Sequence, residues 1–175
     1  MNPANSTAIA QARVLTVTAP AVGADPMRFL RRAGGGPRGF WARSDRWIAH
    51  SGALATVTSG ATQSAELFSG IEADAAGLFT PGSVHGVGET SGMRFYGGFA
   101  FHPEYTIADS WSGFPPALFH VPAIELECES GEAPLLTVRM LVDPEREGAE
   151  ATLTRLVARC GELCRDLEAE EGRGS

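Results

Sequence analysis

Apolar and polar positions along the chain follow two periods, and the change from one to the other marks out its elements. Val14-Leu15-Thr16-Val17-Thr18 is rich in β-branched residues and stops before Pro20, which predicts a first strand. Asp25-Pro26 then supplies an N-cap with proline at the first helical position, and Met27, Leu30 and Arg31 follow at helical spacing until Gly34-Gly35-Gly36 ends a short helix. Phe40-Trp41-Ala42-Arg43 and Trp47-Ile48-Ala49-His50 read as two strands around the turn residues Ser44-Asp45. Leu54-Ala55-Thr56-Val57-Thr58 reads as a third, the three forming an antiparallel meander. From Thr62 to Phe79 the period lengthens, with Leu67, Phe68, Ile71, Ala75 and Leu78 at intervals of three and four, so a helix is expected to cross a sheet face. Thr80 to Gly92 is rich in Gly, Ser and Pro and reads as a loop.

Arg94 to Pro103 follows, read as a buried central strand because aromatic and small residues alternate over a length too short for a helix. Glycine weakens a strand interior, so Gly97-Gly98 points to a bulge, or to close approach by another layer of backbone or a bulky side chain. Trp111, Phe114 and Phe119 downstream supply such side chains, a lid over a glycine floor. Ala123-Ile124-Glu125-Leu126-Glu127-Cys128-Glu129 alternates apolar with acidic, which predicts a strand with one face in the core and the other, carrying all three glutamates, in water. Ser130-Gly131-Glu132 turns it into a longer strand, Leu135 to Val142. The last element is a helix from about Gly148 to Glu171, with Leu153, Leu156, Val157, Cys160, Leu163, Cys164 and Leu167 on one stripe.

Composition narrows the function classes. The 175 residues, 43% hydrophobic, are enough for one domain with a substantial core, and no repeat or linker divides them. A formal charge of −7 argues against nucleic acid or an anionic membrane as partner. Residues 1–13 have neither a basic cluster nor an apolar run, which reads as a disordered tail on a cytoplasmic protein. All 14 basic residues are arginine, so a lysine base, a Schiff-base lysine and a phosphate-loop lysine are excluded for these residues. Cys128, Cys160 and Cys164 suit reduced thiols, the last two serving as small hydrophobes on the helix stripe.

Candidate chemistry is sparse. His50, His85, His102 and His120 match no metal spacing, and a structural hydrogen bond is the commoner role for such residues. Gly34-Gly35-Gly36 follows a helix rather than preceding one, which suits a turn and not a phosphate cradle. Gly86-Val87-Gly88-Glu89-Thr90-Ser91-Gly92 misses the dinucleotide fingerprint in both spacing and context.

The block Tyr96-Gly97-Gly98-Phe99-Ala100-Phe101, then Trp111, Phe114-Pro115, Phe119 and Val121-Pro122, resembles the N-terminal half of isochorismate synthases, members of the chorismate-utilising enzymes. Gly39-Phe40-Trp41-Ala42-Arg43 and Ser51-Gly52-Ala53 are similar to that family's aromatic strand and its glycine-marked second strand. Anthranilate synthases carry Leu-Leu-Glu-Ser in this region; Phe40-Trp41-Ala42-Arg43-Ser44 stands here, so their tryptophan feedback site is not implied. The resemblance implies an α+β fold, an antiparallel β-sheet with helices on one face, equivalent to half of the family's α/β/β/α sandwich. It places a sheet-plus-helix domain at residues 14–146 and a linker helix at 147–171 leading towards a catalytic half. In the family that C-terminal half supplies the water-activating Lys, the general-acid Glu and the Mg²⁺-binding glutamates.

No catalytic, cofactor or metal residue is therefore assigned in these residues, with Mg²⁺ and chorismate reached only through the other half. Trp41, Gly97, Gly98, Phe99, Phe101, Trp111 and Phe114 are read as structural or interface positions. The sheet face that meets the other half is expected to be apolar and exposed when alone. The alternative is a non-catalytic module that binds a partner protein or a small aromatic metabolite.

Overall fold

The computed structural model describes residues 13–59, 64–78, 84–88, 92–100, 115–142 and 148–168. In chain order they form β1 (Arg13–Pro20), α1 (Pro26–Arg32), β2 (Arg38–Arg43), β3 (Arg46–Ser51), β4 (Ala55–Ser59) and α2 (Ser64–Leu78). β5 (Val84–Val87), β6 (Tyr96–Phe99), β7 (Ala117–Val121), β8 (Ile124–Cys128), β9 (Leu135–Val142) and α3 (Ala149–Glu168) complete them. The class is α+β, with three helices and mostly antiparallel strands. No helix among the described residues is long and apolar enough to cross a membrane.

The single expected sheet is two sheets. Six strands run in the order β2-β3-β8-β9-β1-β5 and three in the order β4-β7-β6. The expected meander therefore ends after β3. The chain leaves the large sheet at Gly52, and Leu54 N–H already bonds to Val121 C=O at 2.7 Å in the small one. Pro122-Ala123 makes the return crossing beside it, with Ala123 N–H 3.4 Å from Gly52 C=O. β3 pairs with β8 below this corner and β4 with β7 above it, so one antiparallel ribbon bends from sheet to sheet.

Two further expectations are corrected. The stretch from Thr80 to Gly92 is not all loop: Val84–Val87 adds β5 in parallel to the edge of β1. All four of its residues are exposed, so main-chain pairing makes this strand and a burial pattern could not have revealed it. The stretch from Arg94 is not a buried centre. Among its described residues, 94–100, only Tyr96–Phe99 is strand, on the edge of the small sheet, and Gly97, Gly98 and Phe99 are exposed; 101–103 lie outside the described residues. With hydrogen in place of two side chains it has little to bury.

The large sheet puts its helices on one face. Leu15, Val17, Ala49, Leu126, Leu136 and Val138 point to that face and meet Phe29 of α1 and Leu156, Cys160, Cys164 and Leu167 of α3 in one core. The stripe on the last helix thus finds its partner layer within the chain. Val157, placed on the stripe by periodicity, is 45% exposed because it stands at its rim. Asp25 caps α1 as its sequence predicts, accepting from Arg28 N–H at 2.7 Å. Arg28 and Arg32 in turn donate to Leu167 C=O and Asp166 C=O at the end of α3, where carbonyls lack helical partners and a positive charge suits the dipole.

α2 covers the outer face of the small sheet, where Phe68, Phe99 and Phe119 form a chain of rings with centroids 4.3 and 4.9 Å apart. The inner face carries Tyr96 and His120, cross-strand neighbours that lean on His50 of the large sheet. The order of layers is helices, large sheet, small sheet, helix, all from this chain.

Candidate functional site

Period-two alternation sends Thr16, Thr18, His50, Glu125, Glu127, Thr137 and Arg139 to the face of the large sheet away from α1 and α3. All seven are buried. Register builds rows across the strands: His50, Glu125, Thr137 and Thr18 are successive cross-strand neighbours, and Thr16 stands opposite Arg139. The expected wet glutamate face is thus overturned, and so is the expected apolar face. Glu125 and Glu127 are 1% and 8% exposed, and of the three only Glu129 is exposed.

Burying two carboxylates demands compensation, and Arg94 supplies it from the approach to β6. One guanidinium nitrogen bonds to Glu125 Oε1 and the other to Glu127 Oε2 at 2.7 Å. Tyr96 OH donates to Glu125 Oε2 at 3.2 Å, and Arg46 Nη2 donates to Glu127 Oε2 at 3.3 Å. Arg139 Nη1 lies 3.7 Å from Glu125 Oε2, an ion pair without a hydrogen bond, and its Nε, Nη1 and Nη2 are buried with no hydrogen-bond partner. The His50 ring stacks on Tyr96 at 3.9 Å and lies over Gly39, where a Cβ would stand 2.5 Å from His50 Nε2. Glycine at position 39 makes room for that ring.

Burial sets the protonation states. It holds His50 down to about 4, with His120 adding to the effect, and it lowers His120 as well, so both rings are neutral near pH 7. Burial and then Glu125 push Tyr96 up to about 12. For Glu125 burial outweighs the pull of Arg139 and Arg94, and its carboxyl is raised. Arg139 is lowered by burial against the opposing Glu125, whereas for Arg94 Glu125 and Glu127 outweigh burial and the guanidinium is raised. A histidine near 4 is too weak a base at pH 7 for efficient proton abstraction. The arrangement is suited to clamping the two sheets together.

At its open end the cluster borders a cleft of about 240 Å³ lined by Arg46, Arg94, Glu127, Cys128, Glu129 and Glu132, among others. The donor set of the described residues does not fit Mg²⁺. Among the described residues no group of three or more His, Cys, Asp or Glu could hold a metal. The paired carboxylates Glu125 and Glu127 are held by Arg94, which a divalent ion would have to displace.

Among the described residues, those singled out from the sequence do not all converge. Trp41 is 47% exposed on β2, the outer strand of the large sheet, while Gly97, Gly98 and Phe99 lie in the small one. A Cβ at Gly97 would stand 2.0 Å from Leu118 carbonyl oxygen, so backbone makes the close approach there; nothing lies within 4 Å of one at Gly98. Phe101, Trp111 and Phe114, which carry most of the expected lid, fall outside the described residues, as does His102. His85 is exposed. Cys160 and Cys164 are packed in the core, the Cys160 thiol 3.8 Å from Leu136 C=O.

Arg94, Arg139 and the His50–Tyr96 stack were missed because their partners lie on other strands. A charge at position 139 inside the apolar run Leu135 to Val142 was the one local signal.

Among curated proteins none matches the chain. The family profile described as chorismate binding enzyme matches residues 3–173, nearly the whole length. With the Gly-Gly-Phe block on an edge strand and two sheets closed on a buried ion-pair cluster, the chain belongs to the chorismate binding enzyme family.

Proposed function

We propose that the chain is the N-terminal sheet-plus-helix portion of an isochorismate synthase. On this reading, isomerisation of chorismate is completed by a catalytic half outside these 175 residues, which brings chorismate, Mg²⁺ and the proton-transfer groups. The observation that carries the reading is a pairing of facts. The chain matches a chorismate-binding family over residues 3–173, yet its sequence has no lysine to activate water. The buried carboxylates support it further, since each is already held by arginine and neither is free to act as an acid or a metal ligand. Within the reading the parent serves menaquinone, siderophore or salicylate biosynthesis in the cytoplasm.

The test is turnover. Purified chain incubated with chorismate and Mg²⁺ should form no isochorismate above a heat-killed control, and co-expression with a family catalytic half should yield a complex that does. Isochorismate from the isolated chain would overturn the reading.

The second reading, a non-catalytic module for a partner protein or a small aromatic metabolite, is favoured by the layering. The chain covers the inner face of its large sheet with its own small sheet and adds its own outer helix. A catalytic half that fails to associate, together with a clean monomer by light scattering, would favour this module.

A further inference from the structure

The free edge of the large sheet carries chemistry that the buried cluster does not use. β3 occupies one side of β2, and no strand among the described residues occupies the other. In an antiparallel pair every second residue turns its N–H and C=O outward, so about half of the main-chain groups of β2 face away from the sheet. The centre of the strand is aromatic. Phe40 and Trp41 point to opposite faces and each is 47% exposed. Arg38 and Arg43 close its two ends, both exposed. The surrounding charge has the same sign: residues 28–46 hold six of the 14 arginines, of which Arg46 is paired with Glu127 and Glu129, and a single acid, Asp45, in a chain whose formal charge is −7. α1, which contributes Arg31 at its exposed end, packs beside β2 and β3. Positive charge is thus concentrated at one edge of an acidic protein.

That charge selects among occupants. A second copy paired antiparallel through β2 would set Arg38 opposite Arg43 at both ends, and a parallel pair would set each arginine against itself. Like charges directly opposite are destabilising, so the edge is guarded against self-association. The same two arginines favour a strand with a carboxylate at each end and apolar residues between. Nucleic acid fits less well, because it has no use for the outward amide row or for two aromatics on opposite faces.

We propose that β2 is a docking edge for an extended, acid-flanked segment of another protein. The segment joins as a seventh strand, places carboxylates against Arg38 and Arg43, and lays apolar side chains on Phe40 and Trp41. The proposal stands apart from chorismate chemistry, and its test reads neither turnover nor association with a catalytic half.

Two acetylated hexapeptide amides serve as probes: Glu-Val-Thr-Val-Ile-Glu, and the same peptide with Lys at both ends. The acidic peptide is expected to slow amide hydrogen exchange across residues 38–43 and to bind at least about tenfold more tightly than the Lys peptide at low salt. The double variant Arg38→Glu/Arg43→Glu should reverse the preference. If circular dichroism finds that variant unfolded, Arg38→Gln/Arg43→Gln should abolish the preference. The proposal is overturned by equal binding of the two peptides, or by no protection of residues 38–43 with either at millimolar concentration. It also fails if the charge variants leave the preference unchanged, or if a duplex oligonucleotide protects the same amides more strongly.

Discussion

Arg94 and Arg139 both face Glu125, and their environments predict different outcomes for the same substitution. Arg94 hydrogen-bonds both carboxylates of the cluster, so Arg94→Met leaves Glu125 and Glu127 buried without their main counter-charge. Breaking a buried pair from one side is costly, and since Arg94 retains 27% side-chain exposure the expected loss is at the low end, about 3 kcal/mol. The guanidinium of Arg139 makes no hydrogen bond and its side chain is fully buried. Its desolvation offsets much of its attraction to Glu125, so Arg139→Met, similar in volume, should change stability by no more than about 1 kcal/mol in either direction. Urea unfolding of the two variants checks the contrast. Equal losses would mean that Arg139 contributes as much as Arg94 and that hydrogen bonding does not distinguish them.

Strand β6 makes the same kind of contrast possible between adjacent glycines. A side chain at Gly97 would run into Leu118 C=O and the Phe119 Cα, main-chain atoms of the strand that holds β6 in place. Neither atom can move without disturbing the pairing. Gly97→Ala should therefore cost about 2 kcal/mol, within the range for overpacking, while Gly98→Ala, with open space around it, should stay within about 0.5 kcal/mol of the parent. Thermal melts decide the matter, and a tolerated Gly97→Ala would mean that β6 is not held against β7 as described. The sequence marked the glycine pair as unusual and left the cause open between a bulge, backbone and a bulky side chain. A neighbour contributed by another part of the chain settled it for one member of the pair.

Closing two sheets on a cluster of titratable groups gives the whole molecule a pH dependence. His50 is neutral in the folded chain down to about 4 and protonates near 6.5 when unfolded. The unfolded state therefore binds more protons between those values, and stability present above pH 6.5 is lost as pH falls towards 4, by up to about 3 kcal/mol. His120, also lowered, acts in the same direction. Glu125 opposes them, because its raised carboxyl takes up a proton in the folded state first and so stabilises it on acidification. Stability measured from pH 7 to pH 4 should fall, and His50→Asn should flatten the curve. An unchanged slope in that variant would show that the ring is not held neutral by burial.

Much of the secondary structure was legible because it follows from local chemistry. The N-cap at Asp25, the alternation in Leu15 to Val17 and Leu126 to Glu127, and the stripe through Leu156, Cys160 and Leu167 each depend on residues within a turn or a strand of one another. Alternation assigned Glu125 and Glu127 to the face opposite Leu126 correctly. What it could not assign was the medium on that side. Water is the default for a carboxylate until a counter-charge appears, and Arg94 and Arg139 reach Glu125 from 31 positions and 14 positions away, one from the approach to β6 and the other from the neighbouring strand β9. The division into two sheets was hidden for a similar reason. A strand that changes sheets at Gly52 keeps its local pattern, and only the partner chosen beyond the corner, β7 instead of the large sheet, reveals the bend. The sequence by itself therefore determined where the helices and most strands form, β5 excepted, which face of strands such as β8 is apolar, and the family resemblance carried by Tyr96 to Phe101. The tertiary structure alone decided which polar face is buried, because the free energy of burying a charge depends on partners that only folding brings within reach.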